Sequence, residues 1–466
     1  MSRARLVTLL GFAAAACASN HSVGPPPPDT TGQGAFLDTL EQRTFGFFWD
    51  KTNTTNGLTP DRWPAPGGPG FSSIAAVGFA LTAYPIGVER GYVSRAAAGG
   101  RVLTTLRFFW TATQDSSATA TGYHGFFYHF LDINTGARYQ TVELSTIDTA
   151  LLLAGVLTCQ SYFDNATDPG EIEIRALAES LYRRTDWQWA ASSHPPAIAL
   201  GWHPESQFLQ YDWKGYNEAM IIYILALGSP THPADTSAWT AWTSTYSWGT
   251  FQGQTHLGFA PLFGHEYSHV WIDFRAIQDP FMRGKGIDYF ENSRRATYAQ
   301  RAYAIANPGG WTGYGANVWG LTASDGPADV APYHTYFARG ASFTEIQDDG
   351  TIAPTAAGGS IPFAPEIAIP ALRAMRSAYG TNLFSTYGFL DALNPTFTGT
   401  PTMGRVVPGV GWFDTDYLGI DQGPILAMAE NYRSDLIWRL LRGNAHIVLG
   451  LCRAGFSSGW LTGKCP

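Results

Sequence analysis

The sequence predicts a single all-α domain built as an (α/α)6 barrel, a double ring of helices with a short β-hairpin at its rim. Three observations point there. From residue 35 onward no linker or break in composition divides the chain. Helical segments that are apolar all round alternate with amphipathic ones, about six times over, as an inner ring covered by an outer ring requires. Long loops rich in Gly and aromatic residues separate them. No fixed repeat period appears, which argues against a helical solenoid.

The elements follow in order. Arg3 and Arg5 precede LVTLLGFAAAA, a run too short to span a membrane as a mature helix, so residues 1–17 read as an export signal. Cys17 after three alanines resembles a bacterial lipobox, although Ala14 stands where Leu is usual. A lipidated Cys17 would tether the protein by acyl chains without a spanning helix; ordinary cleavage near ACAS is the alternative. Ala18 rather than Asp follows, so the common inner-membrane retention signal is absent. The expected location is the periplasm, or the outer membrane of a Gram-negative bacterium. Residues 18–34, with GPPPPDTTGQG, form a linker, and residues 35–466 the folded domain, expected as a monomer.

AFLDTLEQRTFGFFWDKT opens the domain. SSIAAVGFALTAY, STIDTALLLAGVLTCQSYF and GYNEAMIIYILALG have the all-round apolar character of inner helices. SRAAAGGRVLTTLRFFWTAT, GEIEIRALAESLYRRTDWQW and DYFENSRRATYAQRAYAIAN carry polar faces. FAPEIAIPALRAMRSAYG and DQGPILAMAENYRSDLIWRLLRG complete the series. Residues 125–139, GFFYHFLDINTGARY, read as the hairpin, turning at Asn134-Thr135-Gly136.

Composition excludes several functions. Net charge is −8, there are four lysines and no basic run, so nucleic acid is not a partner. No G-x-S-x-G elbow, P-loop or strand-borne G-x-G-x-x-G occurs. Aromatics make up 14%, many in loops beside Gly, Asn, Asp or His, as in GWHPESQ and GGWTGYGANVWG. A large core absorbs such residues; a sugar-binding cavity uses them for stacking.

Acids at inner-helix mouths are the candidates for chemistry. In VELSTIDTALLLAG, Ser145 and Asp148 form a capping box, with Asp in place of the usual Glu. In a double ring, however, the start of an inner helix opens into the cavity, so Glu143 and Asp148 face it. Glu218 in KGYNEAM sits at the next mouth, with a cap reading of its own. Glycoside hydrolysis needs two such carboxyl groups, one protonated and one ionised. FGHEYSHVWIDFR places His265 and His269 four apart, but H-E-x-x-x-H is not the zinc-protease pattern, and no metal is expected. Trp319 in WGLTASDGP is a stacking platform or a core wall. Cys159 reads as a buried free thiol. Cys452 and Cys465 bracket a Gly/Ser-rich tail and would close a disulfide in an exported protein.

The blocks VELSTIDTALLLAG, GYNEAM, FGHEYSHVWIDFR, ENSRRAT, WGLTASDGP and DQGPILAMAENYRS together resemble the bacterial glucoamylase-like domain grouped as glycoside hydrolase family 144. The resemblance runs over residues 36–445. It implies an (α/α)6 barrel that hydrolyses linear β-1,2-glucan to sophorose and longer oligosaccharides, with inversion and without metal or organic cofactor. On it, Glu218 is expected as general acid and Glu143 or Asp148 as base or relay. Tyr216, Asn217, Trp202, His265, Trp271, Asn292 and Trp319 are the expected substrate contacts. A glycosidase of another linkage, a transglycosylase and a non-catalytic glucan-binding lipoprotein are the alternatives.

Overall fold

The computed structural model describes residues 32–65 and 70–465. The signal segment, Cys17 and most of the 18–34 linker lie outside them. The main helices are α1 (Gln33–Lys51), α2 (Ile74–Glu89), α3 (Arg95–Thr111), α4 (Thr146–Tyr162), α5 (Pro169–Arg184), α6 (Met220–Gly228), α7 (Phe263–Trp271), α8 (Tyr289–Ala306), α9 (Pro354–Gly359), α10 (Pro365–Tyr379), α11 (Gly419–Ser434) and α12 (Ala445–Arg453). The fold is a mostly helical barrel.

Burial separates the helices into two layers. Every residue of α6 is buried, and almost every one of α2 and α4. In α5 only Glu171, Ile174, Ala178, Leu181 and Tyr182 are. The buried set closes a ring: α2 packs on α4, α4 on α6, α7 on α9, α9 on α11 and α11 on α2. Ser268 of α7 joins α6 by accepting from the Ile221 N–H at 3.0 Å and donating to the Glu218 carbonyl at 2.8 Å. Outside the ring, α1 covers α2 and α11, α3 and α5 cover α2 and α4, and α12, α8 and α10 cover α6, α7 and α9.

Two contacts set the ring's spacing. A Cβ on Gly78 would come within 2.3 Å of the Leu151 carbonyl oxygen, and one on Gly155 within 2.2 Å of that of Gly78, so α2 and α4 meet backbone to backbone. On the far side, Arg90 Nε reaches Glu430 Oε2 at 2.6 Å while Arg433 pairs with Glu41, which ties α1 and α2 to α11.

The all-α expectation is corrected by many short strands, two to four residues each. Three of them lead into inner helices. The strand Phe71–Ser73 ends at the N-cap of α2, where Ser73 Oγ accepts from the Ala76 N–H. The strand Leu144–Ser145 ends at the N-cap of α4, where Ser145 Oγ accepts from the Asp148 N–H. The strand Tyr417–Leu418 runs into α11.

The hairpin at 125–139 is corrected too. Its turn closes, with the Gly136 N–H on the Asp132 carbonyl at 2.8 Å and φ of 75° at Gly136. Its arms share only the bridge Leu131↔Arg138. Phe126–Tyr128 pairs instead with Gly122–Tyr123 and Leu144–Ser145, and Phe130–Asp132 with Phe71–Ser73. The segment links two inner-helix mouths, and those long-range partners decide its register.

The last long helical stretch also breaks. Asp435 takes φ 63°, ending α11, and a separate helix Leu436–Leu441 follows. Cys452 and Cys465 form a disulfide and Cys159 is a buried free thiol. Among the described residues no helix is long and apolar enough to cross a membrane.

Candidate active site

The strands at the rim bring a group of carboxyls to the inner-helix mouths. Asp148 lies in the first turn of α4 and makes half of a capping box, its carboxylate taking the Ser145 hydroxyl in place of the Ser145 N–H. Its N–H donates to Ser145 Oγ at 3.2 Å, and the Ser145 hydroxyl donates back to Asp148 Oδ2 at 2.5 Å. The same carboxylate stands 3.6 Å from His129 Nε2. His129 Nδ1 meets Glu143 Oε1 at 2.8 Å. Burial works against a charge on His129, but Asp148, Glu143 and Asp61 outweigh it and raise its pKa to about 9. Burial likewise works to raise Glu143, but the His129 contact prevails and holds it below the usual carboxylate range.

Glu218 is placed differently from expectation. It precedes α6, which begins at Met220, and makes no cap bond. Asn217 Oδ1 instead turns the chain by accepting from the Ala219 N–H at 3.0 Å. Glu218 is pushed up to about 7 by burial and then by the negative charge of Asp148, against a favourable backbone hydrogen bond. A carboxyl near 7 holds a proton through much of the neutral range, as a general acid must.

Further acids complete the cavity. Asp421 stands in the first turn of α11, the inner helix opposite α6 in the ring. Burial raises it to about 7, while a hydrogen bond from Asp391 lowers it. Asp391 lies well above its usual range through burial and the neighbouring Asp421 charge. The hydrogen bond between them lowers Asp421 and raises Asp391, so Asp421 is the member of the pair that ionises first. Glu266 on α7 accepts the Ser360 hydroxyl at 2.9 Å and is raised well above normal by burial. A Cβ on Gly359 would come within 2.4 Å of its Oε2, so only glycine admits this carboxyl.

Arg62 is the cation among them. Its Nη1 lies 2.8 Å from Asp325 Oδ2, and its Nε lies 3.2 Å from Asp61 Oδ2. Asp325, Asp391 and Asp414 bring carboxylate oxygens within 4.8 Å of one another and are all buried, so they are the residues that could gather a hard cation. Each is also anchored by protein donors: Arg62 on Asp325, the Asp325 N–H on Asp391 at 2.7 Å, and the Thr415 N–H on Asp414 at 2.7 Å.

Most of the expected sugar contacts lie elsewhere. Trp271 is fully buried, donates to Thr82 Oγ1 at 2.9 Å and stacks on Phe79. Trp319 is fully buried in the core, and Trp202 packs among Tyr123 and Trp189. Tyr216 is buried parallel to Tyr289, 6.1 Å away. Asn292 accepts the Leu257 N–H at 2.8 Å. His265 and His269 are buried, drop to about 3 through desolvation, and meet separate partners, the Phe259 carbonyl and the Ser293 hydroxyl. All of these hold the walls of the ring, because a large apolar interior takes up aromatic side chains before any cavity does.

The family model named Glycoamylase, "Putative glucoamylase", matches residues 210–445. A curated relative, the exo β-1,2-glucooligosaccharide sophorohydrolase (non-reducing end) of Parabacteroides distasonis, is 28% identical over 450 residues, covering 89% of this chain. The chain spans 57% of the length of that relative. Among solved structures, the "putative glucoamylase" of Bacteroides uniformis is 32% identical with a TM-score of 0.80, over 92% of this chain and 99% of that one. The endo-β-1,2-glucanase of Chitinophaga pinensis, in complex with sophorotriose and glucose, is 28% identical with a TM-score of 0.80, over 92% and 99%.

Proposed function

The chain belongs to the glucoamylase-like family, and from that premise we propose that it is a glycoside hydrolase acting on linear β-1,2-glucan. The observation that carries this reading is Glu218, held near 7 across the ring from Asp421, the more readily ionised member of a hydrogen-bonded carboxyl pair. Glu218 donates its proton to the glycosidic oxygen as the bond to the anomeric carbon breaks. Asp421 takes a proton from the water that attacks that carbon from the opposite face, giving inversion. The hydrogen bond from Asp391 favours the ionised form of Asp421 that a base needs. Asp148 tunes Glu218, and Glu143 is engaged by His129, so neither is the base in this reading. The double ring is read as an (α/α)6 barrel with the reaction at the mouth where α4, α6, α7 and α11 begin.

Internal cleavage is the preferred mode, by similarity to the Chitinophaga pinensis enzyme. Stepwise release of sophorose is the second reading, favoured by the name of the Parabacteroides distasonis relative. Digestion of linear β-1,2-glucan, laminarin, a cellulose derivative and soluble starch, with products resolved by chromatography, tests both. Mixed oligosaccharides with an early fall in polymer size support internal cleavage; sophorose alone supports the second mode. Turnover of another polymer in place of β-1,2-glucan overturns the linkage.

Export rests on the N-terminal sequence. Arg3, Arg5, the apolar run and Cys17 support a lipid-anchored protein. Radiolabelled palmitate incorporation that disappears in Cys17→Ser tests it.

A further inference from the structure

Tyr336 stands at the mouth of the cavity and has no role in the chemistry described so far. The strand Ala323–Ser324 pairs with Phe337–Ala338, Ser324 opposite Phe337. Beyond this pair the two chains run on into Tyr336 and Asp325, and Asp325 bonds Arg62.

The backbone that carries Tyr336 is clamped. Arg339 is fully buried. Its Nη1 donates to the carbonyls of Ser324 and Asp325 at 2.8 and 3.3 Å, and its Nη2 to those of His334 and Thr335 at 3.0 and 3.2 Å. Asp349 neutralises the guanidinium at 2.7 and 2.8 Å. Asp329 accepts the Thr335 N–H at 2.8 Å and its hydroxyl at 3.0 Å. A buried charge bonded to Ser324, Asp325, His334, Thr335 and Asp349 joins the two segments that present Tyr336 and Asp325.

The Tyr336 side chain, by contrast, makes no hydrogen bond and no ring stack among the described residues. It is 49% exposed, and the charges of Asp421, Asp391, Asp61 and Asp325 are near enough to work against ionisation of its hydroxyl. A fixed aromatic face therefore stands half exposed beside these acids. Such a face matches a pyranose ring, which is C–H rich on its face and hydroxylated on its rim.

We propose that Tyr336 is a substrate-positioning residue, its ring packed against the glucosyl unit next to Asp421. This rests on the reading of the chain as a β-glucan hydrolase. Arg339 acts through Tyr336 by fixing the loop that presents it.

The test compares wild type, Tyr336→Phe and Tyr336→Ala in the full mature chain, first on linear β-1,2-glucan. Tyr336→Ala is expected to raise KM about 10-fold or more, as for loss of one aromatic contact, with kcat within a few-fold of wild type. Tyr336→Phe, which keeps the ring, is expected to restore KM to within about 3-fold. The melting temperature of Tyr336→Ala should match wild type, because the ring is half exposed and unpartnered. An unchanged KM in Tyr336→Ala, with active wild-type enzyme, overturns this inference alone. So does a KM change accompanied by a lowered melting temperature that Tyr336→Phe does not rescue. Wild-type inactivity on β-1,2-glucan but turnover of another glucan overturns the linkage, and the same comparison is then made on that glucan. Inactivity on every glucan overturns the hydrolase reading and this role with it.

Discussion

His129 Nδ1 lies 2.8 Å from Glu143 Oε1, and this contact joins the residue before the strand into α4 to the segment paired with the strand into α2. The histidine is raised from 6.5 to about 9, so its stabilising contribution is fully present below about 6.5 and is lost as pH rises through about 9. His129→Gln is expected to destabilise the protein at pH 6 by on the order of 1 kcal/mol, allowing for solvent screening of partly exposed groups, and by much less at pH 10. Thermal melts of both proteins across that range check it. A destabilisation equal at both pH values would mean that packing, not charge, explains the effect.

Glu218→Gln should fold like wild type and lose at least about 100-fold in turnover, the lower range for removing a general acid. In the wild-type enzyme, activity should peak near pH 7 and fall on both sides, because Glu218 must carry its proton and Asp421 must have lost its own. Reducing-sugar release across pH 5–9 measures both limbs, and circular dichroism checks the fold.

The Asp148 charge raises Glu218. Asp148→Asn should therefore move the alkaline limb of the pH–activity profile to lower pH. A cap deletion alone would cost about 1 kcal/mol of stability and leave the limb in place, so the position of the limb separates tuning from capping.

EDTA is expected to leave turnover unchanged. Arg62 and the raised pKa of Asp391 already offset the charge of the Asp325, Asp391 and Asp414 group. Inhibition reversed by calcium would place a cation on those three carboxylates.

Reduction of Cys452–Cys465 should lower the melting temperature and leave turnover at permissive temperature intact. The bridge closes a loop of sequence separation 13, worth ~3 kcal/mol in the chain-entropy account. Differential scanning calorimetry with and without reductant, beside an activity assay, separates stability from function.

Local pattern carried much of the architecture. The unbroken apolar run of Met220–Gly228 reads as an inner helix because burial on all sides leaves no polar face. Asp148 and Glu218 were legible from one rule, an acid at the start of such a helix. The same rule applied to DQGPILAMAENYRS would have found Asp421. Asp325 and Asp391 carry no local signal, since loops far apart in sequence bring them together. The Glu266 carboxyl was visible only as part of a metal pattern, and its burial depends on Gly359 in a six-residue helix too short to stand out. Trp202, Trp271 and Trp319 were misplaced because residue type does not distinguish the wall of a core from the wall of a cavity. The 125–139 segment was misread because strand register is decided by partners outside it.

The meeting of Gly78 with Gly155 gives the barrel a gauge made of peptide groups. Side chains elsewhere in the interior can exchange volume with their neighbours as sequences diverge, but two touching backbones have nothing to trade. The distance between these helices, and with it the place of Asp148 at the head of one of them, is thereby insulated from drift in the surrounding packing. The interior can be redesigned freely around this point without moving the acid, whereas a single methyl group added at either glycine would displace the whole mouth.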